Sequence, residues 1–276
     1  MTFHSTYKTR LVYVFRINYK THNGCLKIGQ TSALNISTEN PNSKTLNFYA
    51  KKRIDSYTRT AGISYELLHT ETATYIDDNN QIKSFTDNDL RSVLYRSGVE
   101  KKFFDIDSRA DEWVISNLET VVKAIKSIKK GKRSIYVDKF QSEDDPIIFR
   151  KEQKEAVKKT IKQFSIGNEM LWFAKMRFGK TIASLQVIKE LKIKRTLIIT
   201  HRPIVNQQWF EEFFKVFKKT DGYYYGSRNK GDLLHNLEND VKNEGKKYIY
   251  FSSIQDLRGS EKVGGNFEKK SRPIFK

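Results

Sequence analysis

The strongest chemical signal in the sequence is a candidate phosphate-binding loop. Residues 171–181 read LWFAKMRFGKT, a short apolar run and a basic turn, and apolar residues at helical spacing follow. This order predicts a strand, a loop and a helix, whose first N–H groups and dipole attract an anion. Lys180 would reach the β- and γ-phosphates of a nucleotide, and the Thr181 hydroxyl would hold Mg²⁺. The residues predicted to contact the nucleotide in this loop are Arg177, Phe178, Gly179, Lys180 and Thr181.

One position departs from the pattern of such a loop, which reads G-x-x-x-x-G-K-[ST]. Ala174 stands where the pattern has its first glycine. Because a lone Gly-Lys-Thr also occurs in ordinary basic turns, the flanking strand and helix carry the prediction.

The composition favours a polyanionic partner. The 276 residues carry a formal net charge of +19, and each phosphate that such a chain neutralises releases condensed counterions. A lysine-rich surface that is simply solvated is the alternative. Hydrophobic residues make up 38% of the chain, which is enough for two cores and argues against global disorder.

The location is predicted from cysteine use and from the absence of targeting signals. Cys25 is the one cysteine in the sequence, which excludes an internal disulfide and fits a reducing cytoplasm. Residues 1–10 are polar and lack the apolar core of a signal peptide. No apolar run is long enough to span a membrane, so no membrane partner is expected.

The first 120 residues predict a mixed α+β domain. Periodicity and turn residues indicate a strand hairpin (residues 11–17 and 25–29), a loop (30–43), a helix (46–57), a strand (65–68), a helix capped by Thr86 (87–96) and a longer helix (110–128). The order of chemically useful residues on these elements is informative. Tyr13 lies on the first strand, Lys27-Ile28-Gly29 on the second, and Arg53 on the following helix.

This arrangement over residues 10–118 resembles the GIY-YIG nuclease fold, in its phage-type DNA-binding branch. Asp87, together with Asp89, and the Glu112-Trp113 pair stand where the family has later acidic and Glu-Trp positions. The resemblance implies a catalytic set of Tyr13, Lys27, Arg53 and Asp87.

The family chemistry suits these residue types. The Tyr13 hydroxyl would position or deprotonate the attacking water, Arg53 would stabilise charge on the scissile phosphate, and Asp87 would hold a divalent metal as Lewis acid. Two departures oppose cleavage: Lys27 replaces the second tyrosine of the family's name motif, and Asp87 replaces a glutamate. Tyr13 as a sheet-face aromatic, Arg53 as a solvated cation and Asp87 as a first-turn helix residue are the structural alternatives.

Residues 121–147 are predicted to be a basic connector between two domains. Six cations lie within eleven residues, from Lys123 to Arg133, and a polar tract with one proline follows. This segment could track phosphates or act as a solvated tether.

Residues 148–276 predict a partial parallel α/β domain. A helix that opens at residues 149–153 precedes the loop, and the strands 195–200 and 247–253 alternate with a helix that begins around Pro203. Trp209, Phe213, Val216 and Phe217 are predicted to line the buried face of that helix.

The ordered signals over residues 149–260 resemble the first RecA-like domain of superfamily 2 DNA helicases. Phe149-Arg150-x-x-Gln153 is similar to the element that reads adenine, which implies ATP as the nucleotide and Gln153 as a base-binding residue. Residues 197–203 and 252–257 are similar to the elements that grip nucleic-acid phosphates. The resemblance therefore assigns DNA contacts to His201, Arg202 and Gln255.

Hydrolysis in that family needs a further Asp-Glu pair at a strand end, and none follows Thr181. The one Asp-Glu pair, Asp111-Glu112, lies in the first domain. Asp256 is a poor substitute, because Ile254-Gln255 before it indicate a turn or a helix start. A second RecA-like domain is also missing. We therefore expect a truncated nuclease-helicase whose missing half, or other subunits, would have to be supplied.

Three functions remain open from sequence. The leading one is an ATP- and DNA-binding protein of prokaryotic restriction or defence, and the second is a non-catalytic DNA-binding module with a nucleotide-binding remnant. A P-loop kinase or small-molecule ATPase is the third, and the charge of +19 argues against it.

Overall fold

A computed structural model of the protein describes residues 8–77, 80–104, 112–135 and 147–257. The chain is α/β, as predicted, and divides into two compact units, Met1–Val137 and Asp138–Lys276. Across these described stretches, no helix combines the length and apolar character needed to cross a bilayer.

The first unit is built on an antiparallel sheet with helices on both faces. Its described strands are β1 (Thr9–Arg16), β2 (Cys25–Ala33), β3 (Glu66–Thr72), β4 (Thr74–Ile76), β5 (Ile82–Ser84), β6 (Glu100–Lys101) and β7 (Trp113–Ile115). Its described helices are α1 (Lys44–Thr58), α2 (Asp87–Arg96) and α3 (Leu118–Lys129). The main sheet has the strand order β3-β1-β2-β7-β6, and β4 pairs with β5 separately.

Alternation along β1 separates two cores in this unit. Leu11, Tyr13 and Phe15 pack under α1, whereas Val12 and Val14 pack under α2 and α3. The predicted hairpin is confirmed, because β1 and β2 pair antiparallel with Tyr13 opposite Gly29. A side chain at Gly29 would meet the Tyr13 ring at 2.6 Å, so glycine is needed at this position.

Several sequence-based boundaries in the first unit were wrong. Strand β2 continues to Ala33, into the expected loop, because it stays paired with β1. Residues 113–115 form strand β7 rather than part of a helix, and α3 begins after Asn117, whose side chain accepts a hydrogen bond from the Thr120 N–H. Residues 110 and 111 of that expected helix lie outside the described residues.

The expected connector overlaps a packed helix. Val121, Ala124 and Ile125 of α3 are fully buried in the core of the first unit. This unit therefore extends beyond residue 120, since the apolar face of α3 belongs to its core.

The second unit contains a parallel sheet. Its described elements are α4 (Lys151–Phe164), α5 (Lys180–Glu190), β8 (Arg195–Thr200), α6 (Asn206–Val216), β9 (Tyr223–Ser227), α7 (Leu234–Glu244), β10 (Lys247–Ser253) and α8 (Ile254–Leu257). The strand order is β8-β10-β9, with both pairings parallel, as alternating strands and helices predict. On α6, Phe210 and Phe213 are buried, whereas Trp209, predicted for that face, is half-buried.

The strand predicted before the phosphate-binding loop is not formed. Leu171 and Phe173 are exposed, and the segment 171–175 has no strand pairing among the described residues. Trp172 packs instead against a small apolar cluster on α4 and α5 that contains Val157 and Ala183. Its Nε1 donates a hydrogen bond to the Thr160 hydroxyl, 2.7 Å away. An apolar run becomes a strand when a neighbouring strand pairs with it, and this segment is held by helices.

Candidate functional site

The loop before α5 has the backbone geometry of a phosphate-binding turn. Gly179 caps α5 in the left-handed region, with φ of +84°, and Arg177 also has positive φ, at +61°. A Cβ on Gly179 would lie 2.4 Å from the Gln153 Nε2 atom. Glycine is therefore required twice, for its φ and for the close approach of Gln153.

Lys180 and Thr181 occupy the first turn of α5, as predicted. The Lys180 ammonium donates hydrogen bonds to the carbonyls of Ala174 and Lys175, at 3.3 and 3.0 Å. Its charge thus lies over the loop, close to where the N–H groups of the α5 N-terminus attract an anion. Thr181 is half-buried beside it, and its hydroxyl has the chemistry to join a Mg²⁺ ion that bound phosphates would also hold.

Gln153 and Arg150 fasten α4 to this loop. Gln153 is 8% exposed, and its Nε2 donates to the Phe178 carbonyl at 2.7 Å. Arg150 Nη2 donates to the carbonyls of Arg177 and Phe178, at 2.8 and 2.6 Å. Arg150 was missing from the predicted site, although it stands in the same sequence element as Gln153.

An open groove adjoins these contacts. It has a volume of about 740 Å³ and is lined by α4 and the segment 170–178. Four basic residues and two acidic residues line it, so its lining carries a net positive charge: Arg150, Lys159, Lys175 and Arg177, with Glu152 and Glu155. Trp172 and Phe173 contribute aromatic surface. The groove can therefore take a flat, anionic ligand next to the loop.

The predicted DNA-contacting residues converge at one edge of the parallel sheet. The last residues of β8 and β10, Thr200 and Ser253, are paired neighbours. His201, Arg202 and Gln255 follow these strand ends and are all exposed. Carboxyl ends of parallel strands are the usual ligand-binding edge of such sheets.

Asp256 acts at this edge as a helix cap. Its carboxylate accepts a hydrogen bond from the Ser253 hydroxyl at 2.7 Å and pairs with Arg228 at 3.3 Å. Burial acts to raise the pKa of Asp256, but the Ser253 hydrogen bonds and the Arg228 charge outweigh it, so the pKa is lowered. The carboxylate of Asp256 is thus engaged in contacts within its own unit.

In the first unit, Tyr13, Lys27 and Arg53 are brought together around Tyr57. The hydroxyls of Tyr13 and Tyr57 are 3.5 Å apart. The Lys27 Nζ lies 4.6 Å from the centre of the Tyr57 ring, and the Arg53 Cζ lies 5.9 Å from it. Tyr57 was not predicted, but its position four residues after Arg53 on α1 places both on one helix face.

Glu112 supplies the carboxylate of this cluster. Its Oε2 lies 3.0 Å from the Lys27 Nζ, and half of the Glu112 side chain is accessible. The Glu112-Trp113 pair was noted in the sequence, but its glutamate was not assigned to the site. We call Tyr13, Lys27, Arg53, Tyr57 and Glu112 the Tyr13 cluster.

Both tyrosine hydroxyls of the cluster are held in the protonated form. Burial raises the pKa of Tyr13, and the Tyr57 hydrogen bond and the Arg53 charge only partly oppose it. Burial and the hydrogen bond to Tyr13 also raise the pKa of Tyr57 strongly. At neutral pH the Tyr13 hydroxyl is therefore protonated, and in this form it can donate a hydrogen bond but is not a phenolate base.

Asp87 belongs to a different environment. It is the first residue of α2. Thr86 caps this helix, as predicted, and forms a capping box with Asp89. Its carboxylate pairs with Arg91 Nη1 at 2.9 Å, and Arg91 also donates to the Ile28 carbonyl. Because α2 packs on the opposite sheet face from Tyr13, the structure groups Tyr13 with Glu112 rather than with Asp87.

The candidate ligand side chains of the first unit give little support for a metal site. Among the residues that the structure describes, no three His, Cys, Asp or Glu side chains form a group that could hold a metal ion. Glu112 is paired with Lys27, and Asp87 is paired with Arg91. A divalent ion at either carboxylate would therefore compete with an ammonium or a guanidinium group for its charge.

The second unit is thus an α/β domain with a candidate phosphate-binding loop and a polar strand-end edge. Residues 146–274 match the family described as type III restriction enzyme, res subunit, which is helicase-like and has a RecA-like α/β fold. A relative from Mycoplasma pneumoniae (strain ATCC 29342 / M129 / Subtype 1) is named as the C-terminus of the putative type II restriction enzyme and methyltransferase RM.MpnORF110P. It is 28% identical over 119 residues, which are 42% of this chain and 16% of the relative. The chain thus spans less than a fifth of that relative's length. No solved structure matches the present chain.

Proposed function

We propose that the protein binds ATP with Mg²⁺ and DNA as part of a restriction-type nuclease-helicase. One observation carries the proposal. In the segment that matches the restriction res subunit, Gly179 forms a tight turn beside Gln153 of α4, and the Lys180 ammonium lies over the same loop. Members of this family generally use ATP and Mg²⁺. The net charge of +19 supports DNA as the polyanion.

The second unit would bind the nucleotide and the DNA backbone. Lys180 would leave the carbonyls of residues 174 and 175 to meet the phosphates, and Thr181 would help to hold Mg²⁺. Gln153 would exchange its contact with Phe178 for the adenine edge. The Arg177–Gly179 backbone would line the phosphates, while His201, Arg202 and Gln255 would contact DNA phosphates at the strand-end edge.

The first unit would act on a phosphodiester bond. Its resemblance to the GIY-YIG nucleases assigns water positioning to the Tyr13 hydroxyl and charge stabilisation to Arg53, with Lys27 beside them. The metal-binding role that the resemblance gives to Asp87 has the least support, because Asp87 is paired with Arg91. ATP-driven motion would need a second helicase domain. The single cysteine of the sequence supports a cytoplasmic location.

A non-catalytic DNA-binding role is the second candidate. It is favoured by the two ion pairs that occupy the carboxylates of the nuclease-like region, Lys27–Glu112 and Arg91–Asp87. In that case the Tyr13 cluster would hold a DNA phosphate through its cations without cleaving it.

Binding of ATP by titration calorimetry tests the nucleotide-binding part. We expect Mg²⁺-dependent ATP binding by the full chain and a loss of about tenfold or more in affinity in Lys180→Ala, because a charge-assisted phosphate contact is removed. Lys215→Ala on the exposed face of α6 is the matched control and should bind like the unaltered protein. Equal affinity in both variants would remove Lys180 from the nucleotide site and with it the basis of the proposal.

A further inference from the structure

An aromatic surface lies next to the Tyr13 cluster in the first unit. His22, Phe104 and Trp113 form it, with ring centres 4.5 Å apart for His22–Phe104, 4.7 Å for His22–Trp113 and 5.4 Å for Phe104–Trp113. Trp113 is buried beneath the other two rings, which are partly exposed. Lys27 of the Tyr13 cluster lies 6.0 Å from the Trp113 ring, so the two sites are contiguous.

Cations border the aromatic surface. The Lys102 Nζ lies 5.7 Å from the centre of the Phe104 ring. Lys20 and Tyr19 line a cavity of about 620 Å³ that His22 also lines, and Tyr19 is 45% exposed. Rings that offer flat faces, with ammonium groups around them, form the pattern by which proteins bind unpaired nucleic-acid strands.

His22 is suited to stacking because it stays neutral. Burial and the charge of Lys102 lower its pKa, so the imidazole is uncharged at physiological pH. A neutral ring stacks on a nucleobase without the cost of removing a charge from water.

We propose that the aromatic surface stacks the bases of an unpaired DNA strand while Lys20 and Lys102 contact its phosphates. A duplex keeps its bases stacked on one another and offers no base face to these rings, so the preferred occupant is single-stranded or locally opened DNA. Such a strand would lead directly to Lys27 and Tyr13. The inference rests on the proposed function, which identifies the bound polyanion as DNA.

Fluorescence anisotropy with two labelled strands tests this. One strand is an oligothymidine, and the other is an abasic strand of the same length, which carries the same phosphates without bases. We expect the full chain to bind oligothymidine about tenfold more tightly than the abasic strand. Phe104→Ala should reduce this preference about fivefold or more, Phe104→Tyr should retain it, and Phe48→Ala, an exposed aromatic on α1, should leave it unchanged.

The outcomes separate this inference from the proposed function. Equal affinity for the two strands, or an equal loss for both in Phe104→Ala, would overturn the stacking role. If the preference is absent but ATP binding and plasmid nicking persist, the aromatic surface is structural and the proposed function stands. If the preference is present in a protein that neither binds ATP nor nicks DNA, the surface stands and the proposed function fails.

Discussion

Gly179 meets two structural requirements of the proposed nucleotide site. Its positive φ turns the chain into α5, and its missing side chain admits the amide of Gln153. Neither the closeness of Gln153 nor the contacts of Arg150 with the loop could be deduced from spacing, since both residues are more than twenty positions away from Phe178, which they contact. The motif predicted the loop residues, and packing added the residues that hold the loop in shape.

Gly179→Ala should therefore weaken nucleotide binding as well as stability. The substitution places a Cβ in the left-handed region, at a cost of about 1–2 kcal/mol, and also against the Gln153 amide. Gly222→Ala is a matched control, because φ is +70° there but no atom lies within 4 Å of the added Cβ. Thermal unfolding should shift in both variants, whereas ATP affinity should fall in Gly179→Ala alone. An equal ATP affinity in the two variants would mean that the Gln153 contact does not shape the site.

Elements were predictable where their signals are local. Helix α2 begins after Thr86 because a capping box fixes its start, and strand β8 contains only β-branched residues and leucine from Thr196 to Thr200. The strand expected before the loop does not form, because a strand needs a paired neighbour that is distant in sequence. Trp172 is instead hydrogen-bonded to α4. The separation of Asp87 from Tyr13 was also not predictable, because the sheet face on which a helix packs is set by tertiary contacts.

The contact between β3 and α3 should make stability depend on acid pH. Burial acts to raise the pKa of Glu71, but hydrogen bonds and charges from His69 and Lys129 outweigh it, so the folded-state pKa lies below the usual 4.5. A lowered carboxyl pKa contributes stability above the unfolded-state value, and this contribution is lost as pH falls through the folded-state pKa. We expect Glu71→Gln to cost roughly 1–3 kcal/mol at pH 7 and less at low pH, measured by denaturant unfolding.

The control for this prediction is an exposed acid on the same strand. Glu66→Gln removes a charge whose ion pair with Arg16 is half solvated, so it should change stability little at either pH. A cost of Glu71→Gln that does not shrink at low pH would show that the side chain matters for shape rather than for charge.

At the scale of the whole molecule, positive charge is the dominant property. The excess of 51 basic over 32 acidic residues should bind DNA through counterion release. The logarithm of DNA affinity should then fall linearly with the logarithm of salt concentration, by at least about tenfold between 50 and 200 mM. Gel retardation of one duplex over a salt series measures this slope, and an affinity independent of salt would exclude DNA as the partner of the charged surface.

Nicking of supercoiled plasmid tests the central claim most directly, because it asks whether the Tyr13 cluster cleaves DNA in a chain that also binds ATP. The full chain would be incubated with Mg²⁺ or Mn²⁺, with and without ATP, beside Arg53→Ala and the control Arg59→Ala at the exposed end of α1. We predict metal-dependent nicking that Arg53→Ala abolishes and Arg59→Ala retains. Intact plasmid under every condition, in a protein that still retards DNA in a salt-sensitive way, would contradict the nuclease assignment and leave a DNA-binding module.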